Sequence, residues 1–169
     1  DLDSLTEADI KSMKGEATIH LLNAGFVIPN VPSIDSVSST VRLSQEMVVL
    51  ENFTGIIAGS KTSGTVKAEN WVKYILNSES TLRLFAQLHT YSIETNDWLM
   101  GAKGDSEKEF SFPDFITLQG HLEAESLHHT NTYITNLSAD IKYVPRTLTL
   151  TKTRFNSFSG DLGVNLVMR

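Results

Sequence analysis

Cysteine is absent from the 169-residue sequence, and proline occurs only four times. Without cysteine the chain can form no disulfide and no thiol nucleophile, but its compartment stays open, because many proteins of oxidising compartments also lack Cys. The prolines at 29, 32, 113 and 145 fall at strand beginnings or in connections, where a missing N–H does least harm. Long hydrophobic runs are missing too. The apolar stretches are only a few residues each, short of the roughly 20 that a membrane-spanning helix needs. Positive charge is sparse: the formal net charge is −6, and Lys and Arg are scattered singly. That argues against a nucleic-acid backbone or an anionic-lipid patch as the main partner. The chain opens at Asp1 with no initiator Met. It is therefore expected to be a fragment, and the lack of a signal peptide says nothing about export.

What is present is alternation with period two. In TLTLTKT (147–153), Leu148 and Leu150 face one way and Thr147, Thr149 and Thr151 the other. LSADIKY (137–143) sends Leu137, Ala139, Ile141 and Tyr143 to one side, and Ser138, Asp140 and Lys142 to the other. TLRLFAQLH (81–89) repeats the pattern with Leu82, Leu84, Ala86 and Leu88, with Phe85 on the polar side. DLGVNLVM (161–168) adds Leu162, Val164, Leu166 and Met168. Such alternation marks strands with one wetted and one apolar face, as in antiparallel sheet.

Helical signals are few. Ser4 and Glu7 have capping-box spacing, and Gly15 is placed to end a helix over roughly residues 5–14. Asn70 or Glu69 can open a short helix through WVKYIL (71–76), and ETNDWLM (94–100) is a weaker case. A single domain is expected, with approximate internal repeats at 15–68 and 118–169. At an offset of about 100, Val41 and Leu43 match Ile141 and Tyr143, and Val48 and Leu50 match Leu148 and Leu150. A one-residue slip then aligns Gly59 with Gly160, both read as turn or bulge residues needing positive φ.

Several motifs invite a chemical reading. GIIAGSKTSG (55–64) places Gly55, Lys61 and Thr62 where a phosphate loop wants them, with Ser60 in place of the second glycine. A phosphate loop must start a helix directly after its Lys-Ser/Thr, whereas here Gly64, Thr65 and Val66 read as strand, so the stretch is expected to be a hairpin corner. KTSG (61–64) is like the Lys-Thr-Gly triplet of serine β-lactamases, but no Ser-x-x-Lys nucleophile accompanies it. Of the five histidines, His128 and His129 point to opposite faces of a strand. His121 and Glu123 share a face, where a surface metal site is conceivable, although a solvated polar face explains them without one. The acidic pairs Asp105/Glu107 and Glu123/Glu125 have the spacing for general acid–base work but no cleft legible in sequence. Asn52-Phe-Thr54 and Asn136-Leu-Ser138 are sequons of the kind that arise by chance. Trp71 and Trp98 read as helix-packing aromatics or a sugar platform.

Residues 112–169 resemble the C-terminal region of the AsmA-like family of Gram-negative envelope proteins. The elements that carry the resemblance are Pro113, Gly120-His-Leu-Glu-Ala124, Asn136 to Tyr143, Leu148-Thr-Leu150 and Ser159-Gly160. Gly15 through Ala68 resembles a preceding copy, with LRLFAQL (82–88) as the strand between. Many relatives carry Gly-Gly at the small-residue turn, where this chain has Ala58-Gly59 and Ser159-Gly160. The resemblance implies a long, twisted β-groove like that of bridge-like lipid transfer proteins. It also implies a periplasmic location, an inner-membrane anchor elsewhere in the parent protein, and a part in outer-membrane assembly and phospholipid transport. It supplies no catalytic residues and no cofactor.

The expected fold is all-β, with one to three short helices: an elongated, twisted antiparallel sheet or half-barrel groove with an internal repeat. A single layer must cover its apolar face, by curling, by packing on a second copy as a homodimer, or by holding acyl chains. The residues expected to form that face, as lipid contacts or as an ordinary core, are Val41, Leu43, Val48, Leu50, Leu82, Leu84, Ile141, Tyr143, Leu148, Leu150, Leu162 and Val164. The expected partner is a phospholipid or another acyl-chain lipid, with envelope proteins in addition. No catalytic residue, metal or nucleic acid is expected. The competing class is a β-sandwich module that binds glycans or proteins, and a third is a hydrolase built on Glu123 and Glu125.

Overall fold

A computed structural model describes residues 15–26, 33–76, 80–95, 115–145, 147–157 and 160–168. The protein is all-β. Its strands are β1 Ala17–Phe26, β2 Ile34–Leu43, β3 Met47–Ile57, β4 Ser60–Glu69, β5 Leu82–Glu94, β6 Ile116–His129, β7 Thr132–Val144, β8 Thr147–Ser157 and β9 Gly160–Met168. They form one open nine-stranded sheet in sequence order, with β1 and β9 at its edges. Helix α1, Trp71–Leu76, sits between β4 and β5. It begins after Asn70, whose carbonyl accepts the Tyr74 N–H at 2.9 Å. The helix expected over 5–14, Trp98, and residues 96–100 and 105–107 lie outside the described residues.

All ladders are antiparallel except one: β5 and β6 run parallel, from Leu82↔Ile116 to Glu94↔His128. Antiparallel neighbours need only a short turn, whereas a parallel pair needs the chain to return along the strand, and residues 95–115 make that connection. The sheet is therefore mixed, with two meanders meeting at a parallel seam.

The two meanders are copies in register. Across β2–β3 the pairs Ser38↔Thr54, Thr40↔Glu51, Val41↔Leu50 and Leu43↔Val48 recur across β7–β8 as Ser138↔Arg154, Asp140↔Thr151, Ile141↔Leu150 and Tyr143↔Leu148. Across β3–β4 and β8–β9 the correspondence continues from Val48↔Ala68 and Leu148↔Met168 to Ile57↔Ser60 and Ser157↔Gly160. The bulges recur as well. Ser36 and Asn136 both have φ 53°, and Asn52 and Lys152 have φ 51° and 50°. The offset is thus 100 throughout these strands, and the one-residue slip expected at the turn is not there. Ser60, not Gly59, is the counterpart of Gly160. The slip lies instead at Asn23 in β1, a left-handed residue whose register shift β6 lacks, so that Leu21 matches Leu122 but Ala24 matches Ala124.

Glycine is required at specific places for different reasons. Ala58 and Gly59, with φ of 49° and 79°, form the two-residue turn between β3 and β4. Positive φ at both positions matches the twist of the flanking strands. Gly160 does not share this role: it opens β9 and is not among the described residues with positive φ, so the expectation for it is corrected. Gly64 and Gly120 flank β5 from either side. A Cβ would lie 1.9 Å from the Gln87 carbonyl oxygen at Gly64, and 2.1 Å from that of Ala86 at Gly120. Gly64 also has φ 152°. We expect Gly64→Ala to destabilise the fold by about 2–4 kcal/mol in chemical denaturation, because backbone on β5 has to move. Gly25→Ala, whose added Cβ meets nothing nearer than Asp35 Oδ1 at 4.0 Å, should be close to neutral.

Candidate functional site

Cα partners across a ladder point their side chains to the same face, so the register assigns each residue to one side. One row runs Ile19, Val41, Leu50, Val66, Ala86, Gly120, Ile141, Leu150, Leu166 across all nine strands. Its neighbour runs Ala17, Leu43, Val48, Ala68, Leu84, Leu118, Tyr143, Leu148. Leu82 pairs with Ile116, Leu162 with Phe155 and Val164 with Thr153 on the same side. Every residue expected on the apolar face is therefore placed there together. Val41 and Tyr143 are buried, and Leu43, Val48, Leu50, Leu82, Leu84, Ile141, Leu148 and Leu150 are half-buried. Leu162 and Val164 are exposed. Ala139, which the alternation put on this side, is buried too, and Phe53 and Ala124 are further buried positions outside the expected set.

This face is not wholly apolar. Ser60, Thr62 and Thr90 are buried and share hydroxyl hydrogen bonds, with Ser60 Oγ and Thr62 Oγ1 each 3.0 Å from Thr90 Oγ1. The Ser92 N–H donates to Ser60 Oγ at 2.8 Å. Thr153, the counterpart of Phe53, is 8 % exposed, and its Oγ1 has no hydrogen-bond partner among the described residues.

These contacts close the question of the phosphate-like stretch. Ile57 pairs with Ser60 across the Ala58-Gly59 turn, and Lys61 and Thr62 lie in β4 rather than at a helix start. Lys61 is exposed while Thr62 is buried on the opposite face, so the two cannot converge on one phosphate. The stretch is a hairpin corner.

The opposite face is polar; its central row runs His20, Thr40, Glu51 as far as the Asn52 bulge, and Thr65, Gln87, His121, Asp140, Thr151 beyond it. A shallow depression of about 650 Å³ opens there, lined by residues that include Lys67, Phe85, Gln87, Gln119, His121, Asp140 and Lys142. Phe85 lies on this side, as the alternation implied, with Lys67 Nζ 5.6 Å from its ring centroid. At the centre, His121 Nδ1–H donates to Asp140 Oδ1 at 2.8 Å and Lys152 Nζ to Asp140 Oδ2 at 2.9 Å. Ser138 Oγ is 3.3 Å and Glu123 Oε1 3.6 Å from the other ring nitrogen of His121. The same position in the first copy is weaker, His20 Nδ1 lying 3.3 Å from Thr40 Oγ1.

His121 thus sits between two carboxylates that address opposite sides of its ring. Such an arrangement cannot converge on an ion, and no group of three metal-ligating side chains is found among the described residues. Glu125 approaches His89, and neither Glu123 nor Glu125 lines the depression. His128 pairs with Glu94 and stacks edge-on against Tyr133, whereas His129 meets Thr95. The Trp71 indole N–H donates to the Ser44 carbonyl at 2.7 Å, so this ring packs α1 onto the β2–β3 turn. The Asp140 cluster was missed in sequence because its members come from three strands. The one available signal was that His20 and His121 occupy equivalent places in the two copies.

Comparison with family models, with curated proteins and with solved structures finds no match.

Hydrogen bonds from Lys152 and then His121 hold the Asp140 carboxyl below its usual range. A lowered folded-state pKa stabilises the protein above the ordinary carboxylate range, and the contribution is lost as pH falls through the folded value. In a carboxyl NMR titration Asp140 should titrate below an ordinary Asp, and Lys152→Met should move its midpoint upward. The stability difference between the parent and Asp140→Asn should shrink as pH falls through that same window.

Proposed function

We propose that the chain is a non-enzymatic cell-envelope module that shields acyl chains on the apolar face of its sheet, as its resemblance to the AsmA-like family implies. In this reading it works in the periplasm, within a parent protein held at the inner membrane, and serves phospholipid transport and outer-membrane assembly. The observation that carries the reading is the apolar face itself. It runs without interruption across nine strands of an open sheet, through two copies of one plan. Most of its aliphatic side chains are only half-buried. Leaving such a surface in water costs about 25 cal/mol per Å² of apolar area, and acyl chains remove that cost without specific polar contacts. The hydroxyls of this face, on Ser60, Thr62 and Thr90, bond to one another, which leaves the aliphatic rows to meet a ligand through its hydrocarbon. A β-sandwich module would require two packed sheets, whereas the described strands form one.

The test is native mass spectrometry of the purified chain, with organic extraction of whatever accompanies it. Bound phospholipid is expected in the parent protein. It should fall about tenfold or more in Leu148→Asp/Leu150→Asp, because each buried leucine contributes roughly 1.5–3 kcal/mol. Circular dichroism establishes that the variant keeps its sheet. A folded parent chain that carries no lipid, and takes up none from phospholipid vesicles, overturns the proposal.

A further inference from the structure

The internal copies show what completes one edge of the sheet. In the second copy β9 holds the place that β4 holds in the first, since Val66 and Leu166 both pair with the leucine of the preceding strand, Leu50 and Leu150. The outer edge of β4 is filled by β5, antiparallel, through Gly64↔Leu88, Val66↔Ala86 and Ala68↔Leu84. Beyond β9 no described strand follows. The consequence is visible in exposure: Leu162, Val164, Leu166 and Val167 are 50 %, 45 %, 43 % and 54 % exposed, whereas Val66 is half-buried and Thr62 buried.

An uncovered edge strand usually carries a device against pairing, such as proline, lysine, a bulge or an inward charge. β1, at the other edge, has one: Asn23 is left-handed, and the register shifts twice along the strand. β9, GDLGVNLVM, has none of these, and its one charge, Asp161, lies near its first residue.

We propose that β9 is an association edge and pairs antiparallel with β9 of a second copy, centred on Val164. Three features of the strand fit this occupant. The direction is the one the equivalent edge of β4 accepts from β5. The strand is self-complementary, because centring on Val164 sets Leu162 against Leu166 of the second copy and Gly163 against Asn165. Asp161 then faces Val167, so no like charges oppose one another. Paired residues share a face, so the apolar faces of the two sheets become continuous. The contact is two-fold and closes after two copies, whereas joining β9 to β1 would run on without closing. The proposal does not depend on lipid binding.

The test is sedimentation velocity of the 169-residue chain over a dilution series, with deuterium exchange of the β9 amides in the same samples. A monomer–dimer equilibrium is expected, with β9 amides protected only where the dimer is populated. Val164→Lys should weaken association about tenfold or more, and Ile19→Lys on the β1 edge should leave it unchanged. The wild-type exchange series reads the interface even if Val164→Lys fails to fold. A chain that is monomeric at every concentration, with β9 exchange independent of dilution, overturns the proposal. So does a dimer that Ile19→Lys weakens as much as Val164→Lys. So does protection of β9 only by an added peptide of residues 82–94, which would make a β5-type strand the occupant instead.

Discussion

The constraint on which this structure rests is parity. Side chains alternate along a strand, so every residue of a wide sheet must keep step with its neighbours or the apolar row breaks. The chain breaks step at Ser36 and Asn52 in the first copy and at Asn136 and Lys152 in the second, besides the extra break at Asn23 in β1, and the ladder resumes its register after each. In β3 the apolar positions are Val48 and Leu50, then Phe53. In β8 they are Leu148 and Leu150, and the next position on that face is Thr153. The left-handed Asn52 and Lys152 absorb the extra residue, and the register shifts recorded there return the following residues to the same face. Asn tolerates that conformation well, but Lys does not. At Lys152 the backbone N–H is held by the Asn165 side chain at 3.0 Å, and the Lys side chain is held by Asp140. The polar face thereby supports a bulge that keeps the apolar face continuous.

A second consequence of single-layer construction is the seam between β5 and β6. Two meanders grown from one plan can share a sheet only if something joins the last strand of the first to the first strand of the second. Here that junction is parallel, with two glycines flanking β5. Backbone approaches backbone where a Cβ would stand, which lets a strand of Leu and Ala fit between neighbours in both directions. The interruption in the repeat is therefore a packing solution, with the small residues where the chains come closest.

Function follows from the separation of faces. One side concentrates aliphatic surface, the buried Thr153 hydroxyl, which has no partner among the described residues, and a hydroxyl cluster around Thr90. The other concentrates the ion pairs, with Asp140 held between Lys152 and His121. In the proposed reading, an acyl-chain ligand would lie on the first face and solvent on the second. The β9 edge belongs to neither face, because pairing there would use backbone groups, with the side chains only setting the register.

Alternation alone decided a great deal. It assigned Leu82, Leu84, Leu148, Leu150 and their companions to one face, put Phe85 on the other, and exposed the repeat through Val41/Leu50 and Ile141/Leu150. These are local properties of a period-two chain, legible because one face is wet and the other is not. Strand order, the parallel junction and the place of the one-residue slip between the copies were decided only by the tertiary structure, since pairing depends on which backbone groups meet across the sheet. The same is true of Asp140, whose partners stand 19 residues before it in His121 and on the next strand in Lys152. Gly160 shows the limit most simply. A turn-like Ser-Gly looked equivalent to Ala58-Gly59, but a β-turn is set by the φ of its residues, and only the folded ladder showed which glycine had to be left-handed.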